Sequence, residues 1–321
     1  MPPRSIILLL AFAVFSCQSP LPSDLTITSI EEAGVYAQLM EKQGNEDKVL
    51  IVLVPGSRPG FIKQEALFGL VKSGYDVLSI AYFGYADLVP QLEAVPLEYL
   101  NNCIVWAQKR FPNRKIVLMG ISKGAEYALS YASYFDRIDG LIAYSPSCLV
   151  IPNHVGVPEN KAYHSSWTLE GEEIPFANIK RFDDPAGTLK YGKYIEPILA
   201  DTAMLDQSII KIERSTCPIL LLSGKADSVW PAYQMSLILQ NRAITEGQNQ
   251  RIKHVAYENC GHQLFWWEDR VPQANEVVTS QTMRLRPIKK HRFKFGGTNE
   301  GTQKGMLASR KAALDFLDQL E

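Results

Sequence analysis

The sequence has few cysteines, no excess of charge of either sign and only one long apolar run outside its periodic segments. Its 321 residues include 5 cysteines, 33 basic and 34 acidic side chains, and the formal net charge is −1. A balanced charge offers no basic patch for nucleic acid, so we exclude nucleic acid as a partner. The scattered cysteines show neither a disulfide framework nor a zinc-ligand spacing, so we expect neither a metal nor a cofactor.

The overall composition is that of an ordinary globular protein. Hydrophobic residues make up 46% of the chain and charged residues 21%. A chain of this length can bury a full core in one large domain, or in one domain with an elaborate insertion. No internal repeat or low-complexity stretch interrupts it.

The long apolar run lies at the start of the chain. Ile6–Phe15 follows Arg4, and it is too short to span a bilayer but fits the hydrophobic part of a signal peptide. The run ends in "VFSC", which resembles a bacterial lipobox and predicts a signal peptide at residues 1–17, with cleavage before Cys17 and lipidation of that cysteine. An ordinary cleavable signal with a chance cysteine is the alternative. Because Gln18 rather than aspartate follows, the Gram-negative sorting rule implies sorting to the outer membrane. We therefore expect an exported protein that is lipid-anchored in a bacterial cell envelope, at the outer membrane or in the periplasm.

Apolar runs alternate with segments of helical spacing through most of the remaining chain. Residues 18–47 are interpreted as a linker and lead-in, and residues 48–321 as the catalytic domain. The alternation predicts an α/β fold with a mostly parallel sheet and helices on both faces. We predict strands at 48–56, 75–83, 114–120, 138–146, 217–227 and 252–260, and helices at 61–74, 95–110, 123–134, 231–246 and 302–320.

Two segments depart from this alternation. Residues 149–205 and 263–300 are irregular and rich in turn-forming and charged residues. Loops of this length in a compact domain are usually functional or disordered, and insertions after strands lie over the carboxyl edge of a parallel sheet. We therefore expect a cap at residues 149–205 and a second covering loop at residues 263–300.

The segment "KIVLMGISKGAEYAL" reads as strand, tight turn and helix around Ser122. In a G-x-S-x-G motif, Gly120 and Gly124 permit a sharp turn and close helix packing, which leaves the serine hydroxyl raised at the tip. A serine that merely fills a turn is the alternative, but the strand and helix on either side favour a nucleophile.

A serine nucleophile needs a base and an acid that orients the base. Asp227 follows a buried strand in "ILLLSGKADSVWP", and His262 follows the next strand in "HVAYENCGHQLF". The order Ser122, Asp227, His262 is that of the α/β-hydrolases, so we predict that fold with a cap-like insertion. The other histidines lie in the predicted cap, at the start of a strand or in a basic run, and they are interpreted as loop or solvated residues: His154, His164, His254 and His291.

Two backbone N–H groups are candidates for an oxyanion hole. The N–H of Lys123 begins the helix after the nucleophile, where the helix dipole favours negative charge. A second donor is expected in "VPGSRPGF" after the first core strand. Pro59 has no N–H, so Ser57 is preferred and Arg58 is the next choice. An ordinary glycine–proline turn remains open as the alternative for this loop.

Several dispersed segments resemble the C-terminal catalytic domain of the acyl-CoA thioesterase and bile acid-CoA:amino acid N-acyltransferase family. They are "SIAYFGYADLVP", "GISKGAE", "ILLLSGKADSVWPAYQM", "CGHQL" and "GGTNEGTQKGMLASRKAALDFL". The resemblance covers about Val49 to Leu320. It implies that Ser122 is the nucleophile, that Asp227 orients and that His262 is the base.

The sequence departs from this family in three respects. About thirty residues lie between Cys17 and the first core strand, too few for the N-terminal β-sandwich that many members carry. The nucleophile is serine, whereas the amino-acid-conjugating branch is associated with cysteine, and this favours hydrolysis. An exported protein would also not ordinarily meet acyl-CoA.

We therefore expect a serine hydrolase that cleaves an acyl thioester or a carboxylic ester of a small molecule. The alternatives are an esterase, lactonase or peptidase of the dienelactone-hydrolase type, or a non-catalytic binding lipoprotein. An intact set of serine, aspartate and histidine argues against the last of these.

Overall fold

The computed structural model describes residues 23–45, 48–152, 163–177, 179, 188–189, 192–248, 251–284 and 290–321. The predicted signal peptide and Cys17 lie outside these residues. Among the helices in the described ranges, none combines the length and the apolar character needed to cross a membrane.

The described residues contain strands and α-helices in an alternating order. The strands are β1 (Leu25–Glu32), β2 (Val35–Lys42), β3 (Leu50–Val54), β4 (Asp76–Ile80), β5 (Val95–Pro96), β6 (Ile116–Ile121), β7 (Gly140–Tyr144), β8 (Trp167–Leu169), β9 (Glu172–Glu173), β10 (Thr188–Leu189), β11 (Ile219–Gly224), β12 (Ile252–Tyr257), β13 (Ser280–Arg284) and β14 (Lys290–Lys294). The α-helices are α1 (Phe68–Lys72), α2 (Leu97–Arg110), α3 (Lys123–Ala132), α4 (Gly192–Ala200), α5 (Thr202–Ser208), α6 (Ala232–Thr245) and α7 (Asn299–Asp318).

An eight-stranded sheet forms the centre of the molecule, in the order β1-β2-β4-β3-β6-β7-β11-β12. The strands from β4 to β12 in this order run parallel, and β2 joins β4 in antiparallel fashion. All five residues of β3 are buried, and they alternate between two hydrophobic clusters. Leu50 and Val52 face the cluster that includes α2, α3 and α6, whereas Ile51 and Leu53 face the cluster that includes α1 and α7. The sheet is therefore covered on both faces, as its continuous apolar strands predict.

The interpretation of residues 18–47 as a linker and lead-in is corrected by the structure. Residues 25–42 form the hairpin β1–β2, whose second strand pairs with β4. Most of β1 is exposed and its residues alternate in burial. An edge strand of this kind lacks the continuous apolar run by which the buried parallel strands are recognised.

The helix predicted at 61–74 is also shorter than expected. Only Phe68–Lys72 is α-helical, and a 3₁₀ turn at Gln64–Leu67 precedes it. The buried residues in this helix and its preceding turn are Leu67 and Gly69–Val71. The apolar spacing therefore identified the buried face correctly but overestimated the length of the helix.

The two predicted insertions contain regular structure in their described parts. The segment 149–205 contains α4, part of α5 and three short strands, and 263–300 contains β13 and β14. Strand β10 of the first insertion pairs with β14 of the second, in parallel. The two insertions thus share a small sheet, which their irregular composition did not predict.

Candidate active site

Ser122 lies in a sharp turn between β6 and α3. Its backbone has φ of 56° and ψ of −116°, a strained conformation for a residue with a side chain. A Cβ on Gly120 would lie 2.5 Å from the Gly124 carbonyl oxygen, and one on Gly124 would lie 2.2 Å from the Pro55 carbonyl oxygen. Both glycines are therefore required by close backbone contacts, as the motif predicts.

The structure brings Ser122, Asp227 and His262 into contact although up to 140 positions separate them along the chain. Nε2 of His262 lies 2.8 Å from Oγ of Ser122, and Nδ1 lies 2.7 Å from Oδ2 of Asp227. The side chain of Asp227 is 1% exposed and that of His262 is 9% exposed. The three polar groups thus form one nearly buried hydrogen-bonded chain.

The other oxygen of Asp227 is held by its own loop. Oδ1 accepts hydrogen bonds of 2.8 Å from the Val229 N–H and 3.4 Å from the Trp230 N–H. Aromatic rings flank His262: the ring centre of Trp230 lies 5.1 Å from that of His262 in a T-shaped arrangement, and Phe295 stacks with its ring centre 6.4 Å away. These contacts restrict the orientation of both the carboxylate and the imidazole.

The segment before α7 holds the aspartate and histidine loops together. The Phe295 carbonyl accepts a hydrogen bond of 2.8 Å from the His262 N–H, and Gly297 N–H donates to the Ala226 carbonyl at 3.0 Å. Gly296 has φ of 78°, and a Cβ there would lie 2.0 Å from the Ala226 carbonyl oxygen. Gly296 and Gly297 therefore allow the segment before α7 to pack closely against the loops of Asp227 and His262.

Ser145 connects the end of β7 to the loop that carries His262. Its φ is 49°, and its hydroxyl donates a hydrogen bond of 2.7 Å to the His262 carbonyl. Its own carbonyl accepts from the Trp230 indole N–H at 3.2 Å. The sequence analysis did not identify this residue, although its position directly after a buried strand was a usable signal.

The two candidate oxyanion donors belong to two segments that meet at Ser122. Lys123 is the first residue of α3, so its N–H has no acceptor within the helix. Ser57 is exposed on the loop after β3, next to Gly56. A Cβ on Gly56 would lie 3.8 Å from Cβ of Ser122, so this loop runs directly beside the turn that carries Ser122.

The side chain of Lys123 points into the core rather than into the site. Its Nζ donates hydrogen bonds of 2.6 Å to Oε1 of Glu126 and 2.7 Å to the Ile151 carbonyl. Oε1 of Glu126 also accepts from the Ile151 N–H and from the Trp167 indole N–H, each at 2.9 Å. Burial lowers the pKa of Lys123 and raises that of Glu126. The buried ion pair therefore ties the first turn of α3 to two described parts of the cap, at Ile151 and at Trp167.

The remaining predicted residues lie apart from this site or outside the described ranges. The side chain of His164 is 45% exposed and pairs with Glu173. The interpretation of His254 as a solvated residue is wrong: it lies half-buried within β12, with Nε2 2.7 Å from the Ser223 hydroxyl. Cys17, like His154, falls outside the described residues. Within the described ranges, no group of three or more histidine, cysteine or acidic side chains could hold a metal ion.

Comparison with solved structures supports the fold. An acylaminoacyl peptidase from Pyrococcus horikoshii is 12% identical, with a TM-score of 0.51, over 92% of this chain and 41% of that chain. At this level of identity the likeness concerns the fold alone. Together with the parallel sheet and its helical layers, it identifies an α/β-hydrolase fold.

Comparison of sequences leads to named relatives. Mouse acyl-coenzyme A thioesterase 1 is 26% identical over 223 residues, which are 65% of this chain and 49% of the relative. Mouse peroxisomal succinyl-coenzyme A thioesterase is 23% identical over 239 residues, which are 73% of this chain and 53% of the relative. The chain spans about half the length of the curated relatives it matches.

A family match covers the site itself. The family described as "BAAT / Acyl-CoA thioester hydrolase C terminal" matches residues 95–267. This range is more than half of the chain and includes Ser122, Asp227 and His262. The chain therefore belongs to the BAAT / acyl-CoA thioester hydrolase C-terminal family.

Proposed function

We propose that the protein is a serine hydrolase that cleaves acyl thioesters or carboxylic esters through an acyl-enzyme. One observation carries this proposal: the hydrogen-bonded chain from Oγ of Ser122 through the ring of His262 to the carboxylate of Asp227. A nucleophile, a base and an orienting acid in this order form the arrangement that activates a serine hydroxyl.

In the first step Ser122 attacks the carbonyl carbon of the substrate. Nε2 of His262 takes the hydroxyl proton as Oγ forms its bond to the substrate carbonyl carbon. The imidazolium then donates that proton to the alcohol or thiol as its bond to the same carbon breaks. Asp227 keeps Nδ1 protonated and stabilises the imidazolium. The buried carboxylate is suited to this role because two backbone N–H groups hold its other oxygen.

The tetrahedral intermediate carries a negative oxygen that needs hydrogen-bond donors. The N–H groups of Lys123 and Ser57 are the proposed donors, and the positive end of α3 adds to the stabilisation of that charge. Water then attacks the acyl-enzyme with His262 acting again as the base, and the carboxylic acid leaves as Ser122 regains its proton.

The names of the sequence relatives support a thioester substrate. They are acyl-coenzyme A and succinyl-coenzyme A thioesterases, so we propose an acyl thioester as the first substrate class to test. If the signal segment directs export as predicted, the physiological substrates are esters or thioesters of the cell envelope or its surroundings. Hydrolysis of acyl-CoA in vitro would then be an activity retained from the substrate pocket of the family.

The test of this proposal compares the wild type with Ser122→Ala and His262→Ala. Each variant should lose labelling by a fluorophosphonate probe and hydrolysis of p-nitrophenyl esters and acyl-CoA, since the members of such a triad act as one unit and single losses cost on the order of a millionfold. Undiminished labelling of Ser122→Ala would contradict the proposal. Circular dichroism of each variant serves as the control for folding.

We further propose that Cys17 carries the lipid anchor predicted from the lipobox-like segment. More than one acyl chain makes membrane attachment stable, at roughly 0.8 kcal/mol for each buried CH₂ group. Cys17→Ser should therefore release the protein from the membrane fraction and abolish palmitate incorporation, while hydrolysis of soluble esters stays unchanged. A variant that remains in the membrane fraction would contradict the anchor without affecting the proposed chemistry.

A further inference from the structure

Tyr82 lies two residues beyond β4, next to the loop that carries the second proposed oxyanion donor. It is fully buried, and its hydroxyl donates a hydrogen bond of 3.0 Å to the Gly56 carbonyl. That carbonyl and the N–H of Ser57 belong to one peptide group. The peptide is trans, so the two groups point in opposite directions and fixing one of them fixes the other.

The hydroxyl of Tyr82 is placed by an aromatic stack. The Tyr82 ring stacks on Tyr127 of α3 at 5.4 Å, and Tyr127 stacks on Trp167 of the cap at 4.5 Å. The same helix begins directly after Ser122. The stacked rings are rigid, so they fix the position of the loop relative to the turn that carries Ser122. Burial raises the pKa of Tyr82 well above its ordinary value, and the hydroxyl therefore remains a proton donor.

The adjoining residues hold the far end of the same loop. Gly60 N–H donates a hydrogen bond of 3.1 Å to the Phe83 carbonyl. Gly84 has φ of 62°, and a Cβ there would lie 2.5 Å from Cβ of Pro59. The turn after β4 thus contacts the loop at both of its ends, and Tyr82 makes its contact at Gly56, the end that lies beside Ser122.

We propose that Tyr82 is a positioning residue of the oxyanion hole, whose hydroxyl holds the Gly56–Ser57 peptide so that the Ser57 N–H faces the oxyanion formed at Ser122. This inference rests on the proposed function. Tyr82 does not touch the substrate; it acts through the peptide. Its loss should therefore weaken stabilisation of the transition state and leave binding of the ground state largely intact.

Tyr82→Phe removes the hydroxyl and retains the ring. We expect kcat for a p-nitrophenyl ester to fall by roughly 10- to 100-fold, less than the roughly 100- to 1000-fold loss when a donor is deleted. KM should stay within about twofold, and the inhibition constant of a trifluoromethyl ketone, which forms a tetrahedral adduct with serine, should rise in step with the loss of kcat. The pH profile should keep its midpoint because the contacts of His262 are unchanged.

The matched control is Tyr99→Phe. Tyr99 also donates a buried hydrogen bond to a backbone carbonyl, that of Ala81 at 2.6 Å. Its hydroxyl also contacts the Tyr36 N–H at 3.3 Å and the Tyr36 carbonyl at 3.4 Å. Tyr99→Phe therefore removes more hydrogen bonds than Tyr82→Phe near the same end of β4, without contact to the Gly56 carbonyl. We expect Tyr99→Phe to retain wild-type kcat. Thermal unfolding of both variants serves as the control that each is folded at the assay temperature.

A second variant tests the route through Ser57. Ser57→Pro deletes the N–H, and its loss of kcat should not increase when Tyr82→Phe is added, because Tyr82 acts only through the donor that Ser57→Pro has already removed. Additive losses, or a Tyr82→Phe enzyme with the kcat of Tyr99→Phe, would overturn the inference and leave the proposed hydrolase intact. A wild type without Ser122-dependent hydrolysis would overturn the proposed function, and this inference with it.

Discussion

The hydroxyl of Ser145 donates a hydrogen bond of 2.7 Å to the backbone carbonyl of His262. Ser145 lies directly after β7, between the strands that precede the proposed nucleophile and its acid, and its φ of 49° is unusual for serine. A strained backbone conformation persists only where contacts with the surrounding structure enforce it, and such residues cluster at active sites. The bond therefore identifies Ser145 as a support of the histidine loop.

Ser145→Ala and Ser145→Gly should separate the hydroxyl from the backbone conformation. Both variants remove the bond to His262, so we expect both to lower kcat/KM, each by about tenfold, if the base becomes less well oriented. Glycine accepts a positive φ without strain, so the glycine variant should be about 1 kcal/mol more stable than the alanine variant. Steady-state kinetics and urea unfolding measure the two effects; wild-type kcat/KM in both variants would contradict the assigned support.

Asp227→Asn tests the orienting role of the carboxylate. Asparagine retains an oxygen to accept the Val229 N–H, which Asp227 now binds at 2.8 Å, so the loop should remain folded. It can no longer favour a proton on Nδ1 of His262, and we expect kcat to fall by roughly 10⁴-fold at neutral pH. Stopped-flow or steady-state hydrolysis of a p-nitrophenyl ester measures this loss, and a reduction below tenfold would remove Asp227 from the proposed mechanism.

His254 should make the fold sensitive to mild acid. Burial, with a smaller contribution from the Lys225 cation, lowers the pKa of His254 to about 4. Below the unfolded pKa of about 6.5 the unfolded chain therefore binds a proton that the folded protein does not, and stability falls as pH decreases toward 4. Because His254 is only partly buried, solvent screening reduces the effect to about 1 to 2 kcal/mol.

The variant His254→Gln isolates this contribution. Glutamine does not titrate, so the difference in unfolding free energy between wild type and variant should change between pH 7 and pH 4 in favour of the variant. Urea unfolding at several pH values measures it. Parallel pH profiles for the two proteins would show that His254 does not contribute.

The free energy of unfolding should fall strongly when only one partner of the buried pair Lys123 and Glu126 is replaced. Glu126→Leu leaves a buried ammonium without its carboxylate, which costs about 3 to 5 kcal/mol. Replacing both partners, as Lys123→Met with Glu126→Leu, should cost less than the single change because no uncompensated charge remains. A double-mutant cycle by urea unfolding measures the coupling, and additive losses would mean that the pair is not energetically coupled.

The proposed triad was predictable because its geometry is set by local patterns and one general rule. Apolar strands followed by turns are visible in the sequence, and the carboxyl ends of parallel strands meet at one edge of a sheet. Ser122, Asp227 and His262 each follow such a strand, so their proximity could be inferred before the strands were paired. The catalytic roles assigned to them remain predictions until the variants are measured.

The contacts that hold this triad were not predictable in the same way. The bonds of Ser145 to His262 and of Tyr82 to Gly56 join residues that are 117 and 26 positions apart. The position of Ser145 after a buried strand marks it as a strand-end residue, but neither its spacing nor that of Tyr82 reveals which distant carbonyl the hydroxyl binds. The hairpin at residues 25–42 was missed because its exposed, alternating strands look unlike the buried ones.

The sequence by itself determined which strands are buried, where the chain turns and which side chains stand at the strand ends, because burial and turn conformations depend on residue type and its period of two or 3.6. Only the tertiary structure decided which carbonyl each buried hydroxyl binds, how the two insertions pair and that Lys123 points into the core. Those choices depend on distances between segments far apart in the chain, and a buried polar group binds whichever partner the packing brings within about 3 Å.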